Sequence, residues 1–286
     1  MNKILILGSE GFLGKKIYQF LKVKHNIYTL DLLSSERKKH IKKNIKVFKL
    51  AKFIKEKKVN FIIDLIGSTN HNFLKKSDLK ESYDKNYQHK INIINNLEKI
   101  KNEINYFSIG SIYKFGWRRK IKKEIFLPIN KSNDPQLIFK HKFESKLYNL
   151  KNNNIKIKII NIGSVYGNKN NQKFTRMNLI DQIAFKIQKG QKNTIYISKN
   201  TRYKNCLYIN NLPKIINPLL KKNKHKYSEI NIVNNLVNLN VLSSKLKKYF
   251  KTTNIKLTSK KFYYYYINKP KLYKKTFNEF NQIYFK

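Results

Sequence analysis

The sequence predicts an α/β protein built on a doubly wound parallel sheet, with a smaller lobe at the C-terminal end. Two observations carry this prediction. Short apolar strands alternate with helical segments through the first half of the 286-residue chain, which is typical of parallel strands joined by crossover helices. The first strand also runs directly into a glycine-rich turn and a helix. We therefore expect one domain over residues 1–165 and a smaller substrate-binding lobe over residues 166–286.

The glycine-rich turn follows an apolar strand at residues 4–7 and has the spacing G-x-x-G-x-x-G. Its glycines are Gly8, Gly11 and Gly14. Glycine lets the backbone approach a phosphate closely, and the N–H groups of the next helix, from Phe12 and Leu13 onwards, point at that phosphate. The turn therefore predicts a Rossmann-type cradle for the pyrophosphate of a dinucleotide.

A carboxylate follows at the spacing that such a cradle requires. The second strand, at residues 26–30, runs into Asp31. This position is roughly 20 residues beyond the glycines, where an acidic residue hydrogen-bonds the adenosine ribose. The chain is therefore predicted to bind a dinucleotide, because a strand, a glycine turn, a helix, a second strand and an acidic residue follow one another in the order that such a site requires.

The remaining elements continue the alternation. Residues 59–67 are apolar at nearly every position, as expected of a strand that is buried on both faces. Further strands are predicted at residues 45–50, 104–109 and 155–162, and helices at residues 14–22, 52–58, 79–101 and 134–151. Beyond residue 167, short helical and strand patterns alternate with turns rich in Asn and Lys, as expected of a smaller lobe.

The net charge is the most unusual property of the composition. The 62 Lys and Arg residues against 16 Asp and Glu residues give a net charge of +46. The basic residues are spread over the whole chain and are nearly all lysine, whereas base and phosphate recognition favours arginine. Asn, Ile, Tyr and Phe are abundant as well, so we interpret the charge chiefly as compositional drift. Weak, salt-sensitive binding to polyanions is still expected.

Several other classes of protein are disfavoured by the sequence. No segment reaches the ~18–20 consecutive apolar residues of a membrane span. The N-terminal apolar stretch is needed as a strand, which argues against a signal peptide. Cys206 is the only cysteine, which excludes an internal disulfide and a cysteine-rich metal site. We expect a cytoplasmic protein without a metal centre.

Over residues 1–215 the chain resembles the NAD-dependent epimerase/dehydratase family, the extended branch of the short-chain dehydrogenases/reductases that acts on nucleotide-linked sugars. The glycine loop matches that of the family, and Asp31 matches its ribose-binding acid. This resemblance implies NAD as the cofactor, since a carboxylate repels the 2′-phosphate of NADP. Arg37 and Lys39 lie nearby and leave NADP as the alternative.

Two further motifs extend the implied cofactor site. Leu65 and Gly67 stand where the family has a strand end lying over the cofactor. Asn86 and Asn92 match an Asn-x5-Asn helix of the family. The resemblance therefore implies that Leu65, Gly67 and Asn86 contact the cofactor.

The catalytic positions depart from the family pattern of a Ser or Thr, a Tyr, and a Lys four residues after that Tyr. Counting back from Tyr166 identifies the lysine as Lys142, which binds the nicotinamide ribose in the family and puts Ile138 at the tyrosine position. Taking Lys140 instead puts Gln136 there, and taking Lys146 puts Lys142 there. No register supplies the tyrosine, whose phenol is the family's acid/base.

The hydroxyl position is also changed. Counted back from Tyr113 it is Ile109, with Ser111 two residues further on. We take Ser111 and Tyr113, together with Lys142, as the catalytic candidates, and His141 as a further replacement for the missing acid/base.

The resemblance also implies a set of substrate contacts. A Ser-Val-Tyr-Gly segment at residues 164–167 is similar to the family's Asn-Val-Tyr-Gly element, and residues 206–211 are similar to its Phe-Val-Tyr-Val-Asp-Asp strand. Asn161 stands where the family has an arginine. The implied substrate-binding residues are Ser164, Tyr166, Arg202 and Lys204, of which the two basic residues would contact the diphosphate of a nucleotide sugar.

Three functions follow from these observations. The first is an NAD(P)-dependent epimerase, dehydratase or reductase of a nucleotide-linked sugar, with a diverged active site. The second is a non-catalytic dinucleotide-binding protein, and the third is a polyanion- or RNA-binding protein on the same fold. The resemblance also implies a homodimer through the helices at residues 79–101 and 134–151.

Overall fold

The computed structural model describes residues 1–67, 76–112, 135–167, 179–188, 195–198, 203–221, 225–232, 235–238, 241–242 and 255–258. These residues group into two compact units. The first unit contains the described parts of Met1–Lys114, Ser132–Asn161 and Asn210–Asn231, and the second those of Ile162–Ile209 and Ile232–Lys286. Residues 210–231 thus return to the first unit, which a single boundary at residue 165 does not anticipate.

Strands and helices alternate along the chain as the sequence predicts. The strands are β1 (Lys3–Leu7), β2 (Asn26–Asp31), β3 (His40–Lys42), β4 (Phe61–Asp64), β5 (Ile104–Ser111), β6 (Ile155–Ile162), β7 (Ser164–Tyr166), β8 (Ile195–Ser198), β9 (Tyr203–Tyr208), β10 (Tyr227–Ile232), β11 (Asn235–Asn238) and β12 (Ile255–Thr258). The helices are α1 (Phe12–Leu21), α2 (Leu50–Lys57), α3 (Lys76–Tyr83), α4 (His89–Leu97), α5 (Pro135–Tyr148), α6 (Leu179–Gln188) and α7 (Asn211–Leu219). None of the helices in the described ranges is long and apolar enough to cross a membrane.

The seven-stranded sheet has the order β10-β6-β5-β4-β1-β2-β3. Strand β1 pairs in parallel with β2 and β4, and the pairs β2–β3 and β4–β5 are parallel as well. The order 3-2-1-4-5-6 is that of a Rossmann-type doubly wound sheet, so the predicted fold class is confirmed. The order reverses between β1 and β4, and ligands of such sheets bind outside the carboxyl ends of the strands at this point.

Periodicity explains how the helices cover the sheet. Helix α1 buries Gly14, Ile17 and Leu21, whose spacings of three and four residues place them on one stripe. Every residue of β4 is buried, as expected of a central strand that is covered on both faces. The core therefore lies directly beneath the carboxyl ends of β1 and β4.

The strand predicted at residues 45–50 is wrong. The third strand is β3, and the chain turns after it: Asn44 Oδ1 accepts a hydrogen bond from the Lys46 N–H at 2.9 Å, a local turn that asparagine favours. Ile45 and Phe48 are buried, and Asn92 Nδ2 donates to both of their carbonyl oxygens, at 2.5 and 3.1 Å. Ile45 and Phe48, which are three positions apart, both point into the core from a turn. They do not show the alternation between inward and outward side chains that a strand would have.

The helix predicted at residues 79–101 is divided. Helices α3 and α4 are joined by a π-helical turn at Asp84–Gln88. Such turns are uncommon in proteins, and those that occur are frequently located at functional sites. Asn86, inside this turn, and Lys90, one turn later, are both buried.

The second unit contains two small sheets. In one, with the order β11-β9-β7, β9 pairs antiparallel with β11 and parallel with β7. Strands β8 and β12 form a parallel pair. After β7, the N–H of Gly167 donates to Asp181 Oδ1 at 3.0 Å, which ties the end of β7 to helix α6.

Candidate functional site

The glycine loop leaves β1 at the switch point of the sheet. Gly8 has φ +75°, a conformation that favours glycine. A Cβ at Gly8 would also lie 3.1 Å from the Leu65 carbonyl carbon and from the Ile66 nitrogen. The N–H of Gly8 donates to the Leu30 carbonyl oxygen at 2.9 Å, which ties the loop to β2. Backbone from three strands thus meets at this one residue.

Gly14 and Gly11 have different surroundings. A Cβ at Gly14 would lie 2.4 Å from the Gly8 carbonyl oxygen and 2.7 Å from the Ser9 Cα, so glycine is needed there for close packing of α1 on the loop. A Cβ at Gly11 would meet only the Gly8 carbonyl oxygen, at 3.3 Å, and Gly11 is exposed. The space above Gly11 is therefore open.

Helix α1 begins at this open position. Gly11 is its N-cap, in an extended conformation with φ −66° and ψ 167°, and has no side chain to cap the helix. The first N–H groups of a helix, here including those of Phe12 and Leu13, have no carbonyl partner within the helix. Donors and the positive end of the helix dipole therefore face the open space, which is an arrangement that binds a phosphate.

Asp31 lies at the carboxyl end of β2, beside the loop. Its Oδ2 accepts a hydrogen bond from the Glu10 N–H at 2.8 Å, and its Oδ1 accepts one from the Leu33 N–H at 3.1 Å. The carboxylate is half-buried and held next to the loop.

The segment after β4 forms the other side of the switch point. The Leu65 N–H donates to the Leu7 carbonyl oxygen at 3.0 Å. A Cβ at Gly67 would lie 2.9 Å from Asn86 Oδ1 and 3.8 Å from Lys140 Cε. The fold thus brings Leu65, Gly67 and Asn86 together, and it adds Lys140.

A buried ion pair lies against this segment and stabilises it. Lys90 Nζ lies 2.6 Å from Asp64 Oδ2, with side-chain exposures of 5% and 0%. Tyr106 Oη donates to the same carboxylate oxygen at 2.6 Å. Burial and the neighbouring Asp64 raise the pKa of the Tyr106 phenol well above its ordinary value, so this phenol stays protonated.

The same pair fixes the backbone beside the glycine loop. Asp64 Oδ1 accepts a hydrogen bond from the Ile66 N–H at 3.0 Å, and Lys90 Nζ donates to the Ile66 carbonyl oxygen at 3.3 Å. Both polar groups of Ile66 are therefore satisfied by charged side chains, and the strand end packed on Gly8 has a defined position.

Helix α5 presents Lys140, not Lys142, to this region. Lys142 is exposed, whereas Lys140 is half-buried with its Cε near Gly67. Glu144, one turn after Lys140 on the same face, is buried with its Oε1 2.7 Å from the position of a Cβ on Gly110. Of these two lysines, Lys140 is thus the one near Gly67, and the register that uses it puts Gln136 at the tyrosine position.

The end of β5 holds the candidate hydroxyl groups. Ser108 is buried, and Ile109 and Ser111 are half-buried. Of the two serines, Ser111 is thus the more accessible. Tyr113 lies outside the described residues.

The substrate-binding candidates belong to the second unit. Ser164 is half-buried, and Tyr166 is fully buried with its ring 5.6 Å from that of Tyr208. Lys204 lies in β9, opposite Val237 of β11. Arg202 lies outside the described residues.

Asn161 occupies the family's arginine position at the carboxyl end of β6. It is fully buried, and its Nδ2 donates to Glu229 Oε1 at 2.5 Å and to Asn231 Oδ1 at 2.7 Å. Among the described residues, no donor reaches its Oδ1. These contacts connect β6 with β10 in the first unit.

Sequence reasoning missed three residues of this region: Glu10, Asp64 and Lys90. The signal for Asp64 was a carboxylate at the end of an otherwise apolar strand, since a buried charge needs a partner. Nothing local identifies Lys90 as that partner, because many lysines precede and follow it. Among the described residues, no group of three or more His, Cys, Asp or Glu side chains is arranged to hold a metal ion.

Nucleotide-sugar 4-epimerases are among the solved structures with the same fold. UDP-glucuronic acid 4-epimerase from Bacillus cereus, in complex with UDP-glucuronic acid and NAD, matches with a TM-score of 0.72 at 18% identity, over 99% of this chain and 92% of that chain. The UDP-Glc/GlcNAc 4-epimerase of Campylobacter jejuni matches with a TM-score of 0.70 at 17% identity, over 91% of this chain and 88% of that chain. UDP-N-acetylglucosamine 4-epimerase from Methanobrevibacter ruminantium M1, in complex with UDP-N-acetylmuramic acid, gives 0.72 at 16% identity, over 91% and 86%.

The family assignment rests on the sequence itself. No curated protein sequence is similar enough to the chain to count as a match. The model of the NAD dependent epimerase/dehydratase family matches residues 4–233, which is most of the chain and includes every motif from the glycine loop to β10. The resemblance seen in these motifs is thereby confirmed, and the chain belongs to the NAD-dependent epimerase/dehydratase family.

Proposed function

We propose that the protein binds NAD at the switch point between β1 and β4 and uses it to modify a nucleotide-linked sugar. The observation that carries the proposal is the open space above Gly11, which is faced by the N-terminus of α1. Family membership and the nucleotide-sugar epimerases of the same fold support it. Epimerisation, dehydration and reduction all remain within this proposal: the first two begin with transfer of a hydride from the sugar to bound NAD, and a reduction begins with transfer from bound NADH to the sugar.

The residues of the first unit fit this cofactor. The pyrophosphate would lie over Gly11, where a side chain is absent and the first N–H groups of α1 are available. The Asp31 carboxylate would accept hydrogen bonds from the hydroxyls of the adenosine ribose. Leu65, Gly67 and Asn86 would line the cofactor at the end of β4. Bound NAD supplies a hydride acceptor for a carbon of the sugar.

We assign the nicotinamide ribose contact to Lys140 in place of Lys142. The support is geometric: Lys140 Cε lies near Gly67, whereas Lys142 is exposed. An ammonium group at this position would donate hydrogen bonds to ribose hydroxyls. Its positive charge would also favour the ionised form of an acid/base nearby.

The group that moves the proton is proposed to be Ser111, with Tyr113 as the other candidate. Ser111 lies at the carboxyl end of β5, the edge of the sheet at which α/β proteins bind ligands, and Ser108 is too buried to reach a substrate. For the sugar nucleotide we retain Ser164, Tyr166, Arg202 and Lys204, of which the two basic residues would bind the diphosphate.

A second candidate function is a non-catalytic dinucleotide-binding protein. The observation in its favour is that no register of α5 provides a tyrosine, since Ile138, Gln136 or Lys142 stands there, and that Ile109 replaces the hydroxyl residue. Neither isoleucine can transfer a proton, whereas the cofactor cradle retains all three glycines.

One experiment separates the two candidates. Purified protein is titrated with NAD and NADH by fluorescence. It is then incubated with UDP-, GDP- and dTDP-linked sugars in the presence of either NAD or NADH, and products are detected by mass spectrometry. Binding followed by conversion of a sugar supports the enzyme, and binding without conversion of any sugar supports the non-catalytic protein. A chain that binds neither NAD nor NADH would contradict both candidates.

A further inference from the structure

Glu10 links the two groups that flank the adenosine end of the proposed cofactor site. Its N–H donates to Asp31 Oδ2 at 2.8 Å, and its own carboxylate lies 2.7 Å from Arg37 Nη1 and 3.7 Å from Lys15 Nζ. The Glu10 side chain is 8% exposed, so this ion pair is largely shielded from water. One loop residue thus contacts both the acid at the end of β2 and the arginine that follows it.

Arg37 is held in place by more than this ion pair. Its guanidinium lies 4.2 Å from the centre of the Tyr18 ring on α1, and its Nη1 lies 3.5 Å from the Ser9 carbonyl oxygen. The loop that carries it is fixed by His40, whose N–H donates to the Arg37 carbonyl oxygen at 2.9 Å and whose Nε2 lies 2.8 Å from the Leu33 carbonyl oxygen. Arg37 is therefore ordered against the glycine loop.

The chemistry of this corner bears on the choice between NAD and NADP. The two cofactors differ by a phosphate on the 2′-hydroxyl of the adenosine ribose, which Asp31 would repel and which a nearby arginine would bind. Lys39 is not placed to help, since its Nζ lies 2.6 Å from Asn26 Oδ1, at the opposite end of β2, roughly 16 Å from Asp31 at strand spacing. Of Arg37 and Lys39, Arg37 is thus the one that lies beside the glycine loop.

We propose that Glu10 makes the site selective for NAD by occupying the guanidinium of Arg37. The inference rests on the proposed function, since it takes the site to bind a nicotinamide dinucleotide. With Arg37 neutralised by Glu10, a 2′-phosphate meets two carboxylates, Glu10 and Asp31, and the Arg37 guanidinium is not available to it. Glu10 is thus a specificity-determining residue that acts mainly through Arg37.

The test compares the dissociation constants of NAD and NADP by isothermal titration calorimetry. The proteins are the wild type, Glu10→Ala, Arg37→Met, the double variant Glu10→Ala/Arg37→Met, and Glu56→Gln as a matched control. Glu56 forms an exposed ion pair with Lys52 on α2, at 3.7 Å, so its variant removes a carboxylate away from the site. Thermal unfolding midpoints verify that each variant is folded. Glu10→Gln, which keeps the shape of the side chain, replaces Glu10→Ala if the alanine variant is unfolded.

The wild type is expected to prefer NAD. Glu10→Ala should shift the ratio of the two constants towards NADP by about tenfold or more, the size of effect that close charge pairs have on affinity. The double variant should lose most of this gain, and Glu56→Gln should leave both constants unchanged.

Each other outcome overturns the inference. A ratio unchanged in Glu10→Ala, with NAD still bound, would show that Glu10 does not control the choice. A gain that persists in the double variant would show that Arg37 does not bind the phosphate, and a wild type that binds NADP as tightly as NAD would remove the selectivity to be explained. A wild type that binds neither would reject the proposed cofactor site as well.

Discussion

Gly11 is the residue of the glycine loop at which a side chain would extend into the proposed cofactor site, since only one protein atom lies near the position of its Cβ. The Gly11→Val variant is expected to remain folded with a loss of about 1 kcal/mol, because valine is a poorer N-cap than glycine and its Cβ would meet one atom, the Gly8 carbonyl oxygen, at 3.3 Å. It is expected to lose measurable NAD binding, because the branched side chain fills the space of the pyrophosphate. Fluorescence titration and urea unfolding measure the two effects.

Gly14→Ala is the matched comparison. A Cβ there would lie 2.4 Å from the Gly8 carbonyl oxygen, so this variant should lose about 1–3 kcal/mol of stability through overpacking. Equal NAD affinity in Gly11→Val and wild type would refute the position assigned to the pyrophosphate.

The Asp64–Lys90 pair is expected to be essential to stability, since both charges are buried. Lys90→Met should destabilise the protein by about 3–5 kcal/mol, because it leaves the Asp64 carboxylate buried without its cation. Urea unfolding followed by circular dichroism measures this loss.

Lys85→Met provides the control for that variant. Lys85 lies 2.6 Å from Glu81, but their side chains are 38% and 28% exposed. Its loss should cost less than ~1 kcal/mol. Similar losses in the two variants would show that burial does not distinguish these ion pairs.

The orientation of helix α5 determines which lysine would contact the proposed cofactor. Lys140→Met is expected to weaken NAD binding about tenfold, the effect of losing one hydrogen bond from a charged donor. Lys142→Met should have little effect, because that side chain is exposed. Calorimetric titration of both variants tests the register, and the reverse order of effects would restore Lys142.

The same helix shows where sequence reasoning reached its limit. The position of a catalytic lysine was obtained by counting back from Tyr166 across the turn between α5 and β6, and a count of this kind shifts with each residue gained or lost in the turn. The glycine loop and Asp31 involve no such count, because each is attached directly to its own strand. They could therefore be placed from the sequence alone.

Other elements were misplaced for reasons that a single sequence conceals. Residues 45–50 have strand-like composition, but Asn44 stabilises a turn there locally, and Asn92, which is distant in sequence, holds that turn from helix α4. The π-helical turn has no signature in apolar periodicity, and the partner of Asp64 lies on another element. Local sequence patterns thus predicted strands and helices, whereas contacts between residues on different elements could be identified only from the folded structure.

The net charge of the whole chain predicts a response to salt. With 62 basic and 16 acidic residues, mutual repulsion destabilises the compact state, and salt screens it. Raising sodium chloride from low to moderate concentration should therefore increase the thermal midpoint. Relief of about 1 kcal/mol corresponds to ~2–4 °C for a chain of this size. A midpoint that falls or stays constant would show that the lysines are too far apart to repel measurably.

The π-helical turn ties the length of one helix to the positions of two groups at the end of β4. Side chains four residues apart in an α-helix point in directions that differ by about 40° around the helix axis. The wider π-helical turn reduces this angle between Asn86 and Lys90. The Asn86 amide therefore reaches Gly67 while the Lys90 ammonium reaches Asp64. Deleting one residue there would rotate everything downstream by about 100° and withdraw the ammonium from its carboxylate. This stretch should consequently accept exchanges of amino acid far more readily than a change in residue number.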